Sequence, residues 1–221
     1  MNDKRLYDHI DELDNLAITE LCRPFNSDTA KSALVFCSEP MIALPFPHLL
    51  WNNFLPPSIA DQALSWLETV HIWKREESDL HLYDALNLSD IHIPGVVGGL
   101  VSAWFLGCVR RSLKEAFQVE LSSVVRVQVH RLLPGHVIGK HTDAQVHEVR
   151  VVVTLCRSRP ALSGGESVLF ALPDEYMQRC VYPPHHNQAV GFQTGAVTPH
   201  AVSQVHGGTR FSLVYRFGLN F

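Results

Sequence analysis

The chain lacks the features that would assign it quickly to several large protein classes. Its five cysteines, Cys22, Cys37, Cys108, Cys156 and Cys180, are odd in number and form no C-x-x-C pair. Neither a disulfide framework nor a zinc ribbon is suggested, and a reducing, cytoplasmic setting is expected. No apolar run approaches the length needed to span a bilayer, so no membrane association is expected. The mixed-charge start, from Met1 to Arg5, leads into no uninterrupted apolar core, which argues against a secretory signal. The net charge is only −4, so there is no global bias toward nucleic acid. There is also no Lys/Arg-rich stretch with interleaved aromatics, which a groove for single strands would need. Internal repeats and low-complexity tracts are absent.

The 221 residues are 46% hydrophobic and 18% charged. This excludes disorder and allows one catalytic-sized domain with a sizeable core. Residues 1–48 are expected to be a helical and extended extension, and 49–221 the main domain. Within the extension Leu6, Ile10, Leu13, Leu16, Ala17 and Leu21 recur at helical spacing. That predicts an amphipathic helix over 4–22, packed on the outside of the main domain or serving as a homodimer contact. Residues 40–57 are rich in proline and suit an extended segment. Ser58 is the expected N-cap of a helix carrying Ile59, Ala63, Leu67 and Val70 on one face. Pro94-Gly95 and Gly98-Gly99 mark a loop, and Leu100 to Glu115 reads as a longer helix with a broad apolar stripe.

From residue 124 the texture changes to alternating and β-branched runs. Strands are predicted at 124–133, 137–140, 149–155, 167–171, 189–193, 197–202 and 210–217, separated by Gly, Pro and Asn clusters. Helices followed by roughly eight short strands suggest an α+β fold: a jelly-roll sheet pair with the helices on one outer face. Alternation also assigns the faces. In the last strand Arg210, Ser212, Val214 and Arg216 share one side, and Phe211, Leu213, Tyr215 and Phe217 the other. The apolar side must meet the helices, so the polar side lines the mouth of the roll.

His141-Thr142-Asp143, His200 and Arg210 are the residues whose chemistry most constrains the function. Two imidazoles and one carboxylate can take one face of an octahedral metal and leave three positions open, the site type of non-haem Fe(II) oxygenases. Arg210 adds a fixed fork of donors suited to a carboxylate-bearing co-substrate. His141 and Asp143 are two residues apart and therefore co-facial. A lone His-x-Asp occurs by chance in a chain with thirteen histidines, so the surrounding sequence must carry the reading.

That surrounding sequence is informative. Residues 131–143 (RLLPGHVIGKHTD), 151–155 (VVVTL), 164–170 (GGESVLF) and 200–213 (HAVSQVHGGTRFSL) resemble the core of the Fe(II)- and 2-oxoglutarate-dependent dioxygenases, in particular the prolyl-hydroxylase-like branch. The stretch 51–57 (WNNFLPP) before a helix is similar to the segment that leads into that core. The resemblance implies a double-stranded β-helix with His141, Asp143 and His200 as iron ligands. It implies Arg210 on the distal carboxylate of 2-oxoglutarate, with Ser212 adding a hydroxyl. Many relatives carry Tyr where this chain has Leu132; Gln128, His130 or Thr154 would substitute for it in binding the co-substrate. Asp143 keeps the carboxylate that halogenase-like relatives lack, which favours hydroxylation. Fe(II), 2-oxoglutarate and O2 are the implied cofactors and co-substrates, with oxidative decarboxylation to succinate.

A small amino-acid-like molecule or a peptide side chain is the expected substrate, and Tyr83, Asp84, Asn87 and Asp90 are expected to face it. His206 lies too close to Arg210 for the family spacing. His136 and His147 are read as loop or outer-sphere groups, and His185-His186 as loop. Three rivals stand beside this reading: a cupin-like sensor without turnover, an alkylated-base demethylase, and a Zn(II) hydrolase using the same two His and one Asp.

Overall fold

A computed structural model describes residues 39–143, 146–158, 162–172 and 179–220. The helix expected over 4–22 lies outside the described residues. Thirteen strands are present among them. Eleven form one continuous antiparallel sheet, built around β3 (His81–Asn87), β4 (Leu121–Leu132), β6 (Glu148–Leu155), β10 (Gln188–Gln193) and β13 (Arg210–Leu219). The strand order is β1 (His48–Trp51), β10, β6, β13, β4, β3, then β5 (Val137–His141), β11 (His200–Val202), β8 (Ser167–Phe170) and β9 (Arg179–Tyr182); β2 (Lys74–Glu77) hangs on β3. β3 pairs with β4 through 84–87 and with β5 through 81–82, so the sheet folds over at this strand. A separate ribbon joins β7 (Ser163–Gly164) to β12 (Val205–Gly207). The result is a jelly-roll half-barrel.

The outer face of the larger layer carries the core. Phe211, Leu213, Tyr215 and Phe217 are all at most 3% exposed and cluster with Val149, Val151 and Val153. They pack with Ile59, Ala60, Ala63, Leu64 and Leu67 of helix α1 (Pro57–Leu67) and with Phe105, Val109 and Leu113 of the long helix α3 (Ala103–Phe117). Both helices present these residues at three- and four-residue spacing, which places them on one stripe. The sides inferred from strand alternation therefore hold.

Several local expectations are corrected. Helix α1 is capped by Pro56 with Pro57 at its first position, not by Ser58; proline there gives up an N–H that had no partner anyway. The long helix starts at Ala103, where Ser102 Oγ accepts from the Phe105 N–H at 3.2 Å. Ahead of it, the loop expected around residues 95–99 forms a single helical turn, α2 (Gly95–Gly98). Residues 74–87 form the hairpin β2–β3.

This hairpin is held by a buried carboxylate. Asp84 is 3% exposed and points to the outer face. Its Oδ2 accepts from Arg131 Nε at 3.1 Å and Nη2 at 2.7 Å, and its Oδ1 from Arg75 Nε at 3.2 Å. The Arg131 guanidinium lies 4.5 Å over the Trp73 ring. Asp84 is thus a structural residue and does not face a substrate. Asn87 accepts from the Ser89 N–H to cap a short turn, and Asp90 accepts from Ser89 Oγ.

Burial alone would raise the Asp84 pKa, but the two guanidiniums outweigh it and hold the carboxyl below its usual range. Its contribution to stability is therefore present above its unfolded pKa of about 3.9 and is lost as pH falls toward the depressed folded value. Asp84→Asn should lower unfolding free energy by about 1–3 kcal/mol. Urea denaturation at neutral pH checks this, and the gap to wild type should shrink in acid.

Candidate active site

The inner face of the larger layer is a ladder of rows fixed by strand register. Arg210 lies opposite Leu132, Ser212 opposite both His130 and Thr154, Val214 opposite Gln128 and Val152, and Arg216 opposite Arg126 and Arg150. The smaller layer faces this ladder and supplies His141 at the end of β5 and His200 at the start of β11. These two are direct register partners, with ring centroids 4.4 Å apart. Asp143 follows His141 by two residues and turns to the same side.

The three candidate ligand atoms lie within 4.8 Å of one another. Asp143 Oδ2 is 3.4 Å from His200 Nε2 and 3.9 Å from His141 Nε2. Each imidazole is anchored through its other nitrogen: His141 Nδ1 to the Gly139 carbonyl at 2.9 Å, His200 Nδ1 to the Thr198 carbonyl at 3.0 Å. Such anchoring fixes the tautomer and directs the Nε2 lone pair inward, as metal-binding histidines require. Burial pushes the His200 pKa down to about 4, so its ring is neutral at pH 7 and able to ligate. Burial opposes ionisation of Asp143, but Arg150 and the two imidazoles prevail and hold its carboxyl below the usual range. Two imidazoles and one carboxylate on one side of a cleft fit an octahedral first-row ion such as Fe(II).

Arg150 is a residue of this site that sequence reasoning missed. Its Nε and Nη2 donate to Glu148 Oε1 at 3.0 and 2.7 Å. Its Nη1 lies 2.8 Å from Asp143 Oδ2 and 3.5 Å from His200 Nε2. The signal available was a charge on the inward side of an otherwise β-branched strand. His81 was missed as well; its ring lies 4.8 Å from that of His141.

Arg210 is 0% exposed. It donates to four neutral acceptors: the Gly165 carbonyl, Thr154 Oγ1 at 3.2 Å, Ser167 Oγ at 2.9 Å and Ser212 Oγ at 3.2 Å. Among the described residues no carboxylate lies within ion-pair distance of it. Burial lowers its pKa to about 10, still fully charged at neutral pH. Gly165 reaches it because φ is +75°, a left-handed conformation that side chains disfavour. Of the residues expected beside Arg210, Ser212 and Thr154 touch it; Ser167 was not foreseen. His130 is buried against Tyr83, with ring centroids 4.5 Å apart, and Gln128 lies two rows away. His206 is exposed on β12, outside the three-residue cluster.

A half-barrel brings two histidines and an aspartate together, near a buried guanidinium on the same inner surface, a donor set of the kind that non-haem metal oxygenases use. Residues 127–217 match the family model described as the 2OG-Fe(II) oxygenase superfamily. Among solved structures, a Pseudomonas putida prolyl-4-hydroxylase is similar at 17% identity and TM-score 0.64, covering 78% of this chain and 92% of that one. A Trichoplax adhaerens prolyl hydroxylase, solved with a hypoxia inducible factor peptide fragment, is similar at 12% identity and TM-score 0.61, over 99% and 94% of the two chains. A Burkholderia pseudomallei 2OG-Fe(II) oxygenase family protein reaches 21% identity and TM-score 0.56, over 77% and 85%. At such identities these likenesses speak for the fold. No curated protein matches the chain. The family match covers the C-terminal strands, residues 127–217, and over that stretch the chain is similar to the 2OG-Fe(II) oxygenase superfamily. No helix among the described residues is long and apolar enough to cross a membrane.

Proposed function

We propose that His141, Asp143 and His200 hold Fe(II), that Arg210 binds the distal carboxylate of 2-oxoglutarate, and that the chain hydroxylates a small amino-acid-like molecule or a peptide side chain. The observation that carries this reading is Arg210 itself. A guanidinium removed from water and given only neutral acceptors is costly to bury. A carboxylate arriving on it restores the missing charge partner with paired, charge-assisted hydrogen bonds. Thr154, Ser167 and Ser212 then hold the fork in plane and add hydroxyls around the same carboxylate.

Bound at the triad, iron would supply the activation of O2 coupled to decarboxylation of the co-substrate. The chain's own residues do the rest. The Gly139 and Thr198 carbonyls orient the two imidazoles, Arg150 steadies Asp143, and the closed inner face keeps water from Arg210. A Zn(II) hydrolase would have little use for a buried cation on this face, and a sensor would not consume the co-substrate. The residues from 49 onward would form the catalytic unit, with the preceding segment as an extension.

Incubating the protein with Fe(II), 2-oxoglutarate and air should form succinate, slowly without substrate and faster with the right one. An anaerobic Fe(II) and 2-oxoglutarate titration should give a weak visible charge-transfer band. Tight Zn(II) retention with hydrolytic turnover and no such band would overturn the assignment. An intact band without succinate under any condition would favour the sensor.

A further inference from the structure

The inner face carries a second group of cations that the triad and Arg210 do not account for. Arg126, Arg216 and Arg150 stand side by side on three adjacent strands, Arg216 being in direct register with both others. Like charges directly opposite across a sheet repel one another, so this row is unfavourable unless something neutralises it. Arg150 is neutralised by Glu148 and Asp143. Arg216 and Arg126 have no carboxylate within ion-pair distance among the described residues. Arg216 is only half-exposed, and its Nε is buried with no hydrogen-bond partner; Arg126 beside it is exposed at the rim.

The position of this row decides what it can bind. Arg216 is six residues from Arg210 on one strand, roughly 20 Å at the usual rise. Arg150, in the same row, touches Asp143 and His200. The metal triad therefore lies within one arginine side-chain length of the Arg216 row, and Arg210 lies further along the strands. A five-carbon diacid spanning from Arg210 to the triad is used up on that side. Tyr83, stacked on His130, lies within electrostatic reach of Arg216 and Arg150 and forms a wall of the same cleft.

We propose that Arg216, supported by Arg126, is the substrate anchor, and that the substrate of this oxygenase is a small molecule carrying a free carboxylate. The proposal rests on the oxygenase reading above and narrows its substrate. A carboxylate matches the planar guanidinium fork, satisfies the orphaned Nε and offsets the burial of Arg216 and its repulsion by Arg150. Glu148 and Asp143 close by make the cleft less hospitable to a doubly charged phosphate, so a carboxylate is preferred. Anchored there, the remainder of the molecule extends toward the triad.

The test uses full-length protein loaded with Zn(II) and N-oxalylglycine, with thermal stability as the readout. The probes are each proteinogenic L-amino acid as free acid and as carboxamide, the N-acetylated free acids, a capped glutamate-containing peptide and glycerol phosphate. At least one free acid should raise Tm by mass action while its carboxamide does not. Arg216→Met should weaken that binding about tenfold or more, and Arg126→Gln, at an exposed position that should not disturb folding, should weaken it less. Equal binding of acid and carboxamide, a shift from glycerol phosphate alone, no shift from any probe, or no effect of either substitution would overturn the proposal. A shift from the capped acidic peptide but from no free amino acid would overturn the small-molecule assignment. If Zn(II) and N-oxalylglycine themselves fail to stabilise the wild type, the oxygenase reading falls first and this inference falls with it.

Discussion

His200→Ala should abolish succinate formation and iron retention together, whereas His206→Ala should leave both near wild type. The reasoning starts from register. His200 is the strand partner of His141 and lies 3.4 Å from Asp143 Oδ2 through Nε2, so its removal deletes one of three donors that point to a common centre. Losing only an outer-sphere partner of a metal ligand typically costs roughly 10–100-fold in affinity; losing the ligand itself should cost more. His206 sits exposed on a separate two-stranded ribbon, outside the three-residue cluster. Iron content after anaerobic reconstitution and 2-oxoglutarate consumption are the two measurements. Activity that survives His200→Ala but disappears with His206→Ala would move the metal centre and undo the assignment of all three ligands.

Arg210→Met should nearly eliminate 2-oxoglutarate binding while leaving the ligand-free fold as stable as wild type or more so. Truncating one member of a buried charge pair typically costs about 2–5 kcal/mol of binding, roughly thirty-fold to several thousand-fold in affinity. The same cation contributes little to the empty fold, because its partners there are a carbonyl and three hydroxyls. Replacing an uncompensated buried charge by an apolar side chain of similar length is often neutral or stabilising. Ser212→Ala alone should be mild. The double variant should resemble Arg210→Met, because both groups serve one carboxylate and their effects are then not additive. Titration of 2-oxoglutarate in the presence of Zn(II), with thermal melts of the unligated proteins, reads both quantities. Unchanged affinity in Arg210→Met would mean that the co-substrate binds elsewhere.

The strands that frame the site are legible because their inward and outward residues differ in polarity at every second position. The last strand shows this best: Arg210, Ser212 and Arg216 alternate with Phe211, Tyr215 and Phe217, and the outward set is the core that meets α1 and α3. The hairpin at 74–87 is not legible in that way. Its first strand is Lys-Arg-Glu-Glu, exposed throughout or nearly so, and its second carries a buried Asp84 on the core side, where alternation leads one to expect an apolar residue. Asp84 is tolerated there only because Arg131 and Arg75 arrive from neighbouring strands. The N-cap of α1 was misread for a simpler reason: Ser58 has the right chemistry, but Pro57 already satisfies the first turn.

What the sequence by itself determined is which residue types are available and which side of a strand each occupies. His141 and Asp143 share a face because they are two apart, and Arg210 faces inward because Phe211 and Leu213 cannot. Register and burial belong to the tertiary structure. Nothing in the string of residues brings His200 opposite His141, brings Arg150 onto Asp143, or surrounds Arg210 with hydroxyls and, among the described residues, no carboxylate. These depend on which strands become neighbours and on how the two layers close over the cleft. The energetics of a buried charge are set by that enclosure: the same arginine at an exposed strand end would be an ordinary solvated side chain, and here it is a cation waiting on an anion.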